Sequence, residues 1–207
     1  LLKSDEGGFI MNRMNDLNCL LAEKLVEDIK KDYEASGIAV AIIDKSGKTQ
    51  YEKFWGVRDL ESGKEVNGDT IFGLASVTKS FTALSIMQLE EKGIIDLDAP
   101  ISQYIPEFTN KNQSKKVTVR HLLSHAGGFF PLPRILVGNV AESLGLDEEK
   151  DGDFAYNDAV AQEGVKLVAE RLDAQTKENG LNGQPGEYLS YCNDGFGLLS
   201  DIIRRYG

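Results

Sequence analysis

The longest uninterrupted apolar stretch in this 207-residue chain runs only from Ile38 to Ile43. A run that short cannot cross a bilayer as a helix, so it is a strand or a piece of buried helix, and its flanks decide between them. Asp44-Lys-Ser-Gly-Lys48 follows, with turn-forming residues, and Thr49 to Gly56 then places Tyr51, Lys53 and Trp55 at alternate positions. The pattern predicts strand, tight turn and strand over 37–56, an antiparallel hairpin. Upstream, Leu17, Leu20, Leu21, Leu25 and Ile29 recur at three- and four-residue spacing between Asp16 and Glu34, which predicts an amphipathic helix lying on a sheet and ended near Gly37.

Downstream the period changes. Phe81, Leu84, Met87 and Leu89 predict a buried helix closed by Gly93, and Thr118 to Ser124 a short helix opened by Thr118 and closed by Gly127-Gly128. Pro131, Pro133, Gly138 and the acidic run Asp147–Asp151 predict a long surface excursion from Phe129 to Asp158, ahead of a helix over 159–174. Gly180, Gly183, Pro185 and Gly186 mark a loop, and Asp194 stands where it can cap a last helix containing Leu198, Leu199, Ile202 and Ile203. The expected fold is α/β of the α+β type. Residues 1–72 form its helix-and-hairpin part and 73–207 a mainly helical region.

Composition narrows the function. Lys and Arg number 23 against 33 Asp and Glu, a net charge of -10 that repels nucleic acid and anionic membrane surfaces. Two cysteines, Cys19 and Cys192, support neither a disulfide framework nor a metal site, and no cofactor motif is present. No signal peptide is visible, and the chain begins at Leu1, so compartment is weakly constrained.

Two short motifs carry chemistry. Ser76-Val-Thr-Lys79 puts a hydroxyl and an amine on one helix face in the first turn, where a lysine beside the helix N-terminus can take the serine proton. A serine N-cap followed by an exposed lysine has the same spacing. Tyr191-Cys-Asn193 places a phenol and an amide on one side of an extended segment, with Cys192 turned away; a packed tyrosine in an Asx-type turn is the alternative. A Ser-His-Asp triad finds little support, because neither Ser76 nor Ser124 lies in a G-x-S-x-G elbow, and Ser124 and His125 are expected to bond locally to backbone. Arg134 reads as a surface arginine, and Trp55, Phe129 and Phe130 as core or cleft wall.

Taken in order, four blocks resemble the class C β-lactamase and D,D-peptidase superfamily of penicillin-binding-protein-like serine hydrolases. They are Ile71-Phe-Gly-Leu-Ala-Ser76-Val-Thr-Lys79, Gly93-Ile-Ile-Asp-Leu-Asp-Ala-Pro100, Thr118-Val-Arg-His-Leu-Leu-Ser-His125-Ala-Gly-Gly128 and Gly186-Glu-Tyr-Leu-Ser-Tyr191-Cys-Asn193. The resemblance implies a β-lactamase/transpeptidase-like fold in which Ser76 is acylated, Lys79 and Tyr191 share the proton transfers, and Asn193 positions lysine and substrate. It implies no metal or cofactor, a small-molecule or peptide substrate, and a leaning toward the bacterial cell envelope or exterior. Oligomeric state stays open.

Members of that superfamily continue into strands bearing a third motif, Lys-Thr-Gly or His-x-Gly, which nothing after Asn193 matches. Its strand supplies a second oxyanion donor, and losing one such donor lowers turnover by about two to three orders of magnitude. The chain therefore reads as the N-terminal part of such an enzyme, lacking its C-terminal strands. Acyl transfer on D-amino-acid peptides, β-lactams or small esters is the expected activity. A penicillin-binding-protein-like sensor or scaffold that does not turn over is the alternative.

Overall fold

A computed structural model describes residues 2–3, 9–10, 13–112, 115–133, 137–153, 157–178 and 180–207, with the backbone alone for 2–3, 9–10 and 13–18. The side chain of Leu17 and all of Arg134 lie outside the described residues. The chain divides into two compact units, Leu1–Gly73 and Leu74–Gly207. Together they give a mixture of helix and antiparallel sheet.

In the first unit, β1 (Leu2–Lys3) pairs antiparallel with β2 (Phe9–Ile10), and α1 spans Arg13–Tyr33. The expected hairpin is β3 (Gly37–Ile43) against β4 (Thr49–Gly56), with Ile38 opposite Trp55, Val40 opposite Lys53 and Ile42 opposite Tyr51. Asp44 makes its turn: one carboxylate oxygen accepts the N–H groups of Ser46 and Lys48 and the Ser46 hydroxyl, while Gly47 takes φ +83°. A short acidic side chain bonding backbone ahead of it does the work of a turn without any core contact.

The phase of α1 differs from expectation. Its inward face is Cys19, Ala22, Val26 and Ile29, with Val26 buried, whereas Leu20, Leu21 and Leu25 are more than half exposed. Residues at 19, 22, 26 and 29 keep the helical period as well as the leucines do, and the face bearing small Cys19 and Ala22 is the one turned inward. Glu23, also on that side, pairs with Lys53 of β4 at 2.6 Å.

The second unit holds the main core. A single turn of 3₁₀ helix (Ala75–Val77) runs into α2 (Thr78–Glu91), followed by a 3₁₀ turn over Ile101–Gln103 and by α3 (Val119–Leu123). The excursion after Phe129 is not all loop: it contains α4 (Val137–Ser143) and α5 (Glu148–Asp151), the latter capped by the Asp147 carboxylate. Val140 and Ala141 of α4 bury against Val160 in a small core of their own, which draws this segment into helix. Next come α6 (Asp158–Asp173), capped by Asn157, and α7 (Asn193–Tyr206).

Helix α7 organises the unit. Its buried stripe Gly195, Leu198, Leu199 and Ile202 follows the i, i+3, i+4, i+7 period, and α7 packs on α2, α3 and α6. Asp194 does not cap it, contrary to expectation. Cys192 occupies that position without a side-chain cap, and the Asp194 carboxylate instead accepts the Leu132 N–H at 3.0 Å, tying the excursion down. Helix α2 contributes Ile86 and Leu89 to the core. Phe81, Leu84 and Met87, expected inside, are exposed, because the face turned to α7 is the one bearing Ile86 and Leu89.

Candidate active site

Ser76 sits in the 3₁₀ turn that feeds α2, one turn before Lys79. Ala75 before it has φ +45°, a left-handed conformation that a β-carbon disfavours and that recurs at functional turns. The serine does not cap the helix: Val77 holds that position with no side-chain bond, so the capping explanation of the Ser-x-x-Lys spacing is excluded. Instead Ser76 Oγ lies 2.8 Å from Tyr191 Oη and accepts from Lys79 Nζ at 3.2 Å.

The other half of the site arrives 115 residues later in sequence. Cys192 is extended, with φ -129° and ψ 112°, so Tyr191 and Asn193 project to the same side while the Cys192 side chain is buried. Asn193, the first residue of α7, accepts a hydrogen bond from Lys79 Nζ at 2.7 Å through Oδ1. The packing of α7 on α2 thus brings Ser76, Lys79, Tyr191 and Asn193 into one connected network.

The network lies near solvent: Ser76 and Asn193 are exposed, and Lys79 is partly covered. The lysine ammonium stands over two aromatic faces, 5.1 Å from the Tyr191 ring centroid and 5.6 Å from that of Phe196. Such contacts favour a cation electrostatically. Hydrogen bonding from Lys79 first, and from Ser76 second, holds the Tyr191 phenol below its ordinary value of 10.0. A phenol shifted that way is more readily ionised, the form that can accept a proton. Phe196 escapes a motif search, and its signal is only its place one turn into α7 from Asn193.

The neighbouring residues divide. Ser124 bonds locally as expected, donating to the Arg120 carbonyl at 2.9 Å. His125 does not: its Nδ1 accepts the N–H of Cys192 at 3.2 Å, and its ring stacks on Tyr191. Burial first, then the charge of Lys79, pushes its imidazole below 6.5. The Cys192 thiol is raised to about 11, mainly by burial, which leaves it unreactive at neutral pH. Phe129 is core, and Phe130 is exposed. Among the described residues no group of three His, Cys, Asp or Glu side chains is gathered to hold a metal ion, and no helix is long and apolar enough to cross a membrane.

Comparison with known proteins identifies the family. A family model described as Beta-lactamase matches residues 22–206. Esterase EstB of Burkholderia gladioli is 36% identical over 116 residues, covering 55% of this chain and 30% of that protein. The serine beta-lactamase-like protein LACTB, mitochondrial, of Homo sapiens is 35% identical over 225 aligned positions, covering 87% of this chain and 41% of its own length. Among solved structures, the octameric penicillin-binding protein homologue from Pyrococcus abyssi superposes with a TM-score of 0.69 at 28% identity, covering 91% of this chain and 39% of that one. The chain thus spans between about a third and two-fifths of the length of these relatives.

Proposed function

The chain belongs to the Beta-lactamase family, and within it we propose a serine hydrolase that works by acyl transfer through Ser76. The observation that carries this reading is the hydrogen-bonded set Ser76–Tyr191 and Ser76–Lys79–Asn193. In acylation, Ser76 Oγ bonds to the carbonyl carbon of an amide or ester while its proton passes to the Tyr191 oxygen. The developing oxyanion meets the Ser76 backbone amide at the positive end of α2. Collapse breaks the bond to the leaving amine or alcohol, which takes its proton from Tyr191, and leaves acyl-Ser76. In deacylation water loses a proton to Tyr191 and attacks the same carbon; the bond from that carbon to Ser76 Oγ then breaks, Tyr191 returns the proton to Oγ, and the acid is released.

Lys79, bonded to Ser76 Oγ, is the second partner in these proton transfers; its hydrogen bond to the phenol favours the ionised form, and Asn193 fixes the lysine. Substrates are carbonyl compounds with a displaceable amine or alcohol: D-amino-acid peptides, β-lactams or small esters. The esterase and penicillin-binding relatives support that range.

The test is intact-mass detection of a covalent adduct after incubation with a fluorophosphonate and, separately, a penicillin, each beside Ser76→Ala. One adduct, absent in the variant and lost with time, is the expected result for the penicillin arm. No adduct on folded protein overturns the reading, and an adduct that persists indefinitely replaces hydrolysis with a labelled, non-turnover sensor.

A further inference from the structure

Tyr191 is held from three sides by one residue outside the four that form the network. His125 ends the turn after α3 in the left-handed conformation, φ +53°. Its carbonyl accepts the N–H of Ser190 at 2.8 Å and its Nδ1 accepts the N–H of Cys192 at 3.2 Å, so the residues on either side of Tyr191 are both bonded to it. Its ring stacks on the phenol, with centroids 4.1 Å apart and planes 29° apart, and lies 5.0 Å from Phe196. Resting on the function proposed above, we infer that His125 is a positioning residue that sets the Tyr191 phenol against Ser76 and does so only as the neutral imidazole protonated at Nε2.

The tautomer follows from the donor it faces. Cys192 N–H can donate only to a bare Nδ1, which fixes the proton on Nε2. A second proton would set N–H against N–H and add a cation beside Lys79, so the bracket opens as His125 charges. The titratable groups around it are Lys79 from α2, Tyr191 and Cys192 from the extended segment, with Asp194 of α7 bonded to Cys192, and His121 of α3, which lines the same small cavity. Burial is the main influence keeping the ring neutral, and Lys79 reinforces it.

The experiment uses the full chain and has two readouts. The first needs no activity: nitrogen-15 NMR of the histidines identifies the His125 tautomer, and ultraviolet titration against Tyr191→Phe isolates the Tyr191 phenol. The expected result is the Nε2–H tautomer, with a Tyr191 phenol that moves up toward 10 in His125→Ala. The second is the rate of fluorophosphonate labelling of Ser76 across pH. It should fall about a hundredfold in His125→Ala, as for a partner misplaced by an ångström. It should recover in His125→Asn, whose amide oxygen replaces Nδ1 and which tolerates positive φ.

If His125→Ala does not fold, His125→Asn and His125→Phe, which keep the acceptor or the ring, carry the comparison. An Nδ1–H tautomer, or a phenol titration and labelling rate unchanged in folded variants, overturns the inference. Absence of labelling in the wild-type protein overturns the proposed function instead, and the tautomer and phenol titration still judge His125.

Discussion

Lys79 Nζ and Asn193 Oδ1 lie 2.7 Å apart although 114 residues separate them in sequence. The contact joins the first turn of α2 to the first residue of α7, so the amine beside Ser76 is aimed by the other helix. Asn193→Ala is expected to slow labelling of Ser76 about tenfold, the worth of one charge-assisted hydrogen bond at an exposed site, without changing thermal stability. Labelling kinetics beside a melting curve check both parts. A rate equal to wild type would show that Lys79 needs no second holder.

Tyr191→Phe keeps the ring over His125 and removes only the oxygen 2.8 Å from Ser76. Loss of a general base lowers rates by about two to four orders of magnitude. Because Lys79 and Ser76 hold the phenol below 10.0, the wild-type labelling rate should rise with pH and level off short of pH 10. That limb should vanish in the variant, and stopped-time mass spectrometry over a pH series reads it.

Acid should destabilise this protein in two steps. Burial lowers both His121 and His125 from 6.5. A base whose folded value is depressed contributes stability that is complete above 6.5 and is lost as pH falls through the folded value. Hydrogen bonding, to Ser46 for Asp44 and to Arg120 for Asp98, lowers both carboxyls from 3.8, so their contribution disappears only in stronger acid. Urea midpoints measured every half unit of pH should show the first loss below about 6.5, and His125→Asn should diminish it.

Asp173 at the end of α6 is buried and gathers the Thr109 hydroxyl and the Asn110 N–H, each at 2.6 Å. Asn110 is itself buried at φ +58° and accepts the Val117 N–H at 2.7 Å. Asp173→Ala strands those donors and should cost about 1–3 kcal/mol. Denaturant unfolding measures it, and a loss within error would show that water satisfies the cluster.

The hairpin was readable because both its signals are local: alternation in β4 and an aspartate that bonds its own turn. The motif residues were readable because three-residue helical spacing and two-residue extended spacing each put side chains on one face. Phase was harder. In α1 the leucine-rich stripe and the Cys19–Val26 stripe have the same period, and only packing chooses between them; α2 repeats the ambiguity with Phe81 and Ile86. Asp194 resembles a cap by position, yet its partner Leu132 lies 62 residues away. His125 posed the same difficulty, since its bond to Cys192 spans 67 residues and no spacing rule reaches that far.

The small core of Val140, Ala141 and Val160 stands apart from the one that seats α2 and α7. Helix α6 packs on both α4 and α7, so a change in that small core reaches the helix pair bearing Ser76 and Asn193 only by way of α6, at one remove from the reacting groups.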